Sequence, residues 1–152
     1  MRKRLVALMM LVCGTTTAWA DAKQDCGNKS GDVAIAACTE AIRSNPRDAA
    51  SYINRGGEYA NKNELDLAIA DFNKAIELDP NFAFAYNNRG IAYRAKGDND
   101  RAIADFNEAI RLDSKYANAL YNRGSVKQQA GDSAGGDADI AQAKRLQPGI
   151  GQ

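Results

Sequence analysis

The sequence predicts an all-α protein, an array of helix–turn–helix units stacked side by side. Three observations carry this. Asn54-Arg55-Gly56 recurs as Asn88-Arg89-Gly90 and as Asn122-Arg123-Gly124, 34 residues apart each time. Ala68-Ile69-Ala70-Asp71-Phe72-Asn73 recurs at the same spacing as Ala102-Ile103-Ala104-Asp105-Phe106-Asn107. Ala75-Ile76-Glu77-Leu78-Asp79-Pro80 recurs as Ala109-Ile110-Arg111-Leu112-Asp113-Ser114. Three blocks in one register mark a repeat, and no segment alternates as a half-buried strand would.

Residues 1–20 read as a secretory signal. Arg2, Lys3 and Arg4 form a positive start, Leu5 to Val12 is an apolar run, and Ala18-Trp19-Ala20 is a small-x-small cleavage sequence before Asp21. The run is too short to span a bilayer, which takes about 20 residues. Cys13 follows Val12 rather than a small residue, which argues against a lipid-modified cysteine. The expected location is therefore periplasmic or secreted, with a cut after Ala20. Of 20 basic and 19 acidic residues, only three basic ones lie in the signal, so the remainder carries a net charge of −2 with both signs interspersed. That leaves no basic footprint for nucleic acid and no polybasic patch for lipid.

Residues 21–48 form a half-repeat. Ala34, Cys38, Ala41 and Pro46 fall in the register of the second helices downstream, while the matching first helix would overlap the signal, and 21–29 are too short to replace it. Cys26 and Cys38, twelve positions apart in an oxidising compartment, suggest a disulfide that ties this stub down as an N-terminal cap. In the chain-entropy description such a loop contributes roughly 3 kcal/mol. A redox pair would favour C-x-x-C spacing, and a metal site would need more ligands in a chain with no His.

Residues 49–82 are the first complete unit. Tyr52, Gly56 and Tyr59 share one helical face; Ala68, Phe72, Ala75 and Ile76 share a face of a second helix. Asn61-Lys62-Asn63 breaks between them, and Asp79-Pro80 ends the second. Small residues permit close approach and large ones fill the space between helices. Residues 83–116 repeat this with Tyr86, Gly90, Tyr93, Ala102, Phe106 and Ala109, and Lys96-Gly97-Asp98 makes the turn. Residues 117–152 begin as a third unit with Leu120 and Gly124, then depart: Lys127 replaces a tyrosine, and Gly135-Gly136 stands where Ala is expected. Glycine there costs roughly 1 kcal/mol against Ala. The last helix reads as a polar, weakened cap.

These positions resemble the tetratricopeptide repeat (TPR) family. The match is close at 49–82 and at 83–116, apart from Ser114 in the proline position; it is partial afterwards and reduced to one helix at 31–48. The Cys26…Cys38 arrangement ahead of the repeats is similar to small exported repeat proteins of Gram-negative bacteria. The resemblance implies a right-handed α-α superhelix whose concave groove is lined by the first helix of each unit and takes an extended peptide or a partner's helix. On this chain the groove candidates are Asn54, Asn88 and Asn122, with Asn87, Ile91, Arg94, Tyr121, Ser125 and Gln128 beside them. Asn carries two donors and an acceptor and suits a peptide main chain; it equally suits a bond to the neighbouring helix. Arg55, Arg89 and Arg123 stand where the family often has Leu. They would either receive a carboxylate ligand or pair with Asp71 and Asp105, and their recurrence with the unit favours pairing. A carboxylate clamp is not supported, because its positions hold Ala50, Ile53, Phe84 and Asn118.

Catalysis is not expected. Without His there is no His-based triad or His metal site. No Gly-rich phosphate loop follows a strand. Asp98 with Asp100, and Asp137 with Asp139, read as helix-start residues. No cofactor is expected. The expected function is partner binding as an adaptor or scaffold, with a self-associating structural protein and a small carboxylate-dependent hydrolase as alternatives.

Overall fold

The computed structural model describes the backbone of residues 13–152 and the side chains of 20–152; the positive start and apolar run of the expected signal lie outside the described residues. Eight helices follow one another: α1 (Cys13–Asn28), α2 (Gly31–Ser44), α3 (Ala49–Asn61), α4 (Leu65–Leu78), α5 (Ala83–Ala95), α6 (Asn99–Leu112), α7 (Ala117–Gln129) and α8 (Ser133–Leu146).

Local chemistry fixes the boundaries. Each second helix ends on a residue in extended geometry, and Asn45, Asp79 and Asp113 at that point accept a hydrogen bond from the backbone N–H two residues on. The turn inside each unit needs a left-handed residue. Asn63, Gly97 and Gly131 supply it at φ of 61°, 81° and 92°, in one register. Asp98 and Asp132 cap the helices that follow, accepting from the N–H of Arg101 and of Gly135.

Each pair packs small against large. Phe72 and Phe106 are 1% and 0% exposed, and each ring lies against a glycine of the first helix. A Cβ on Gly56 or Gly90 would come within 2.7 Å of the ring. The cores run on between units: Tyr52, Ile53, Ala75 and Ala85 form one cluster with Ile42, Ile76 and Phe82 around it, drawing on α2 to α5. No unit buries its faces alone.

The third unit is repacked rather than merely weakened. Ile140 replaces the aromatic ring, and α8 sits so close to α7 that a Cβ on Gly124 would lie 2.7 Å from the carbonyl oxygen of Gly136, and one on Gly136 2.7 Å from that of Gly124. Ala at 136 has no room, so the glycine expected to be a defect carries the approach. Gly135 lies against the capping Asp132. Beyond α8, Ile150 takes the register place of Phe82 and Tyr116 and is buried with Ala117, Leu120 and Ala143. The outer face of α8 carries Asp137 and Lys144 where α4 and α6 have isoleucines packed into the stack. A further helix pair would have to bury both charges.

The N-terminal pair departs most from expectation. In the uncut chain a full first helix does precede α2: α1 has 16 residues and continues through Ala20. Residues 21–28 are its portion beyond the expected cleavage point. The sequence argues against a full first helix because it would overlap the expected signal, and in the uncut chain the helix does run across that boundary. Cys26 and Cys38 are disulfide-bonded, with Cα atoms 4.5 Å apart. Cys38 stands in the register of Phe72 and Phe106, and Cys26 in that of Ala60, which packs on Phe72. The bond thus occupies the place of the aromatic knob.

Candidate functional site

The first helices touch in sequence, α1 with α3, α3 with α5 and α5 with α7, whereas among the described residues no second helix reaches the next one. The array therefore curves toward its first helices, which form the concave side.

A cavity of about 220 Å³ opens on that side. Its floor is Ile53, Asn54, Gly57 and Glu58 of α3; Phe84 and Asn88 of α5 form one wall, and Cys26, Gly27 and Lys29 at the end of α1 form the other. Phe84 is 46% exposed, against 0–1% for the two core phenylalanines, and its ring is tilted against Phe82 at 6.3 Å. Asn54 is exposed; its amide Nδ2 donates weakly to Cys26 Sγ at 3.8 Å. Glu58 accepts a 2.7 Å hydrogen bond from Gly31 N, fastening the α1–α2 turn to the cavity edge.

The remaining candidates divide. Asn122 donates to Asn87 Oδ1 at 3.1 Å, and Asn87 donates to Asn88 Oδ1 at 3.4 Å, so these amides form a string linking α7 to α5. Asn87 is buried within it. Tyr121 lies beneath the C-terminal segment, with its ring against Gly151 (φ 79°). Gln128 is turned to the partner helix: its Nε2 donates to Asp137 at 2.6 Å, and its Cγ lies over Gly136. Arg94 is half-buried, and Ile91 packs with Phe106 and Val126. Of the amide ladder, only Asn54 and Asn88 share the cavity. Ile53, Phe84 and Glu58 line it too; the signal for them was their concave register position, read only for its lack of basic residues.

The recurring arginines are structural. Arg55, Arg89 and Arg123 each donate two hydrogen bonds of 2.6–2.8 Å to the carboxylate of Asp71, Asp105 or Asp139 in the adjoining helix. Each also donates back to the preceding unit, to Thr39, Asn73 or Asn107. Tyr52 and Tyr59 flank Arg55; Tyr86 and Tyr93 flank Arg89. The fork raises the pKa of Arg55 and Arg89 through the hydrogen bond to the carboxylate. In the third unit Lys127, in the tyrosine position, adds a 2.9 Å contact to Asp139. Burial works to raise the Asp139 pKa, but hydrogen bonds and charge from Arg123 and Lys127 outweigh it and hold the carboxyl below its usual value. Asp139 therefore sits within α8 as a paired group rather than at a helix start, and Asp132 holds the cap.

The concave cavity presents the amides of Asn54, Asn61 and Asn88 beside Ile53 and the exposed Phe84 ring, with Glu58 and Lys29 among its lining. Such a set of groups has the chemistry to pair with a main chain and to meet an apolar side chain at Phe84. Among the described residues, no cluster of three or more His, Cys, Asp or Glu is placed to hold a metal ion, and no helix is long and apolar enough to cross a membrane.

Solved structures share this arrangement. A MamA protein is 25% identical with a TM-score of 0.77, over 91% of this chain and 76% of its own. The TPR domain of Arabidopsis OM64 is 26% identical with a TM-score of 0.72, over 76% of this chain and 99% of its own. The first TPR domain of Spaghetti (RPAP3), solved with an HSP90 peptide, is 24% identical with a TM-score of 0.66, over 68% and 82%. No curated protein sequence matches the chain. The TPR repeat profile matches residues 56–95 and 92–131, half of the chain. With the 34-residue register, the helix pairs and these matches in place, the chain belongs to the tetratricopeptide repeat family.

Proposed function

We propose that the chain is an exported, non-catalytic adaptor that holds an extended segment of a partner protein along its concave side. The cavity carries the reading: Asn54 and Asn88 present amides to a main chain, and Phe84 with Ile53 receives an apolar side chain. A protein main chain has one donor and one acceptor per residue, which side-chain amides match without reading sequence. Export rests on the positive start, the apolar run and Ala18-Trp19-Ala20, and the disulfide fits an oxidising compartment. Asp137 and Lys144 on the outer face of α8 weigh against growth by end-to-end stacking.

The test selects peptides from a phage-displayed random dodecapeptide library on the full chain, then measures affinity by fluorescence anisotropy. Asn54→Ala with Asn88→Ala should weaken the selected peptides about tenfold, as expected for one or two lost hydrogen bonds of about 1 kcal/mol each, with helicity unchanged. Peptides that bind the variant as tightly as the parent would sink the groove reading. Asn122 is left out because it does not line the cavity.

A further inference from the structure

We propose that the Cys26–Cys38 disulfide gates the concave cavity: oxidised, it holds the end of α1 in place as the cavity wall, and reduced, it lets that wall come away. The proposal rests on the binding reading above and adds its regulation.

The wall comes from α1 and its turn through Cys26, Gly27 and Lys29. From Asp21 to Lys29 only Cys26 is buried and only Ala22 is half-buried. Its other ties include the Lys23–Asp48 ion pair, the 3.8 Å contact from Asn54 and, at the turn, Gly31 N to Glu58. The α3–α4 and α5–α6 pairs are locked by an aromatic ring under a glycine. In the N-terminal pair Cys38 stands in the register place of that ring, and Ala22 stands in that of Gly56 and Gly90. The covalent bond therefore supplies the lock that Phe72 and Phe106 supply elsewhere.

Cys26 is 3% exposed, and the bond borders the cavity. Cys38 is fully buried, but Cys26 contributes to the cavity lining. A dithiol reductant entering there attacks Cys26 Sγ as a thiolate. The S–S bond breaks, Cys38 Sγ leaves and takes a proton, and the second thiolate of the reductant closes its own disulfide, releasing Cys26 as a thiol. Two electrons pass to the protein, and two thiols remain that no longer tie α1 to α2. The cavity then loses one side, and Asn54 loses its sulfur contact.

Hydrogen exchange by mass spectrometry on the full chain, oxidised and then reduced with dithiothreitol and alkylated, reads the wall without any ligand. Reduction should speed exchange across residues 22–31 about tenfold or more while α4 to α8 keep their protection, as expected of local opening. Unchanged exchange at 22–31, or acceleration throughout the molecule, would overturn the gate. A second protein, Ala22→Gly with Cys26→Ala and Cys38→Phe, restores the ring-under-glycine lock; its wall should be protected with or without reductant, and an unprotected wall would refute the equivalence of bond and ring. Finally, a peptide selected on the oxidised chain should bind the reduced chain about tenfold more weakly, and equal binding would refute the coupling. If no peptide is selected at all, the groove reading fails while exchange still decides whether the wall opens.

Discussion

Cutting one side of the Arg89–Asp105 fork should cost more than removing both. Arg89 donates to both oxygens of Asp105 at 2.7 and 2.8 Å, and the side chains are 19% and 8% exposed. Arg89→Met keeps most of the stem but strands a carboxylate among packed helices. Breaking a buried pair from one side costs roughly 3–5 kcal/mol, and the depth of Asp105 places this variant at about 3–4 kcal/mol. Asp105→Ala leaves the guanidinium with its 2.7 Å bond to Asn73, two tyrosine faces and some water. That variant should lose less, about 2–3 kcal/mol, because the remaining charge is partly solvated. The double change Arg89→Met with Asp105→Leu removes both desolvation penalties and should cost no more than about 1 kcal/mol. Urea unfolding followed by far-ultraviolet circular dichroism gives all three values, and the double-mutant cycle gives the coupling. Two results would refute the reasoning: Asp105→Ala proving worse than Arg89→Met, or the double variant proving as unstable as the worse single one.

Adjacent glycines should respond with opposite signs. Gly56→Ala forces a Cβ to 2.7 Å from the Phe72 ring and should destabilise by about 1–3 kcal/mol, whereas Gly57→Ala meets nothing within 4 Å and should stabilise by up to about 1 kcal/mol through helix propensity; thermal melts of the two decide it, and equal signs would contradict the packing. Tyr116 carries a buried hydroxyl without a hydrogen-bond partner among the described residues, and burial pushes its pKa up to about 12. Its register mate is Phe82, so Tyr116→Phe should raise stability by about 1 kcal/mol by removing an unsatisfied polar group; a loss in urea unfolding would reveal a partner for the hydroxyl.

Where residues recur, the sequence was a sufficient guide. The period was legible as successive helix pairs because each second helix ends in the same Asx turn and each internal turn uses one left-handed residue. The Arg–Asp pairing was legible for the same reason, since a contact that belongs to the stack repeats with it. Its third copy was missed: Asp139 was read with Asp137 as a helix start, yet 139 is 34 beyond Asp105. The site was less legible. Asn54, Asn88 and Asn122 are identical in sequence but not in surroundings, because Ile53, Asn87 and Tyr121 beside them differ. Buried Asn87 draws Asn122 into the string, and Asn54 faces a sulfur instead. The full α1 was not expected because its first half coincides with the expected signal.

The contact from each arginine back to the preceding unit bears on how such a chain can change length. Thr39, Asn73 and Asn107 occupy one register place, and all accept a hydrogen bond from the next arginine. Excision of residues 83–116 would bring Arg123 beside Asn73, an acceptor identical to the one it lost. Whole units are thus interchangeable parts along this seam. Duplication or loss in steps of 34 residues meets a ready-made joint, whereas any other step sets an arginine against a side chain of the wrong chemistry.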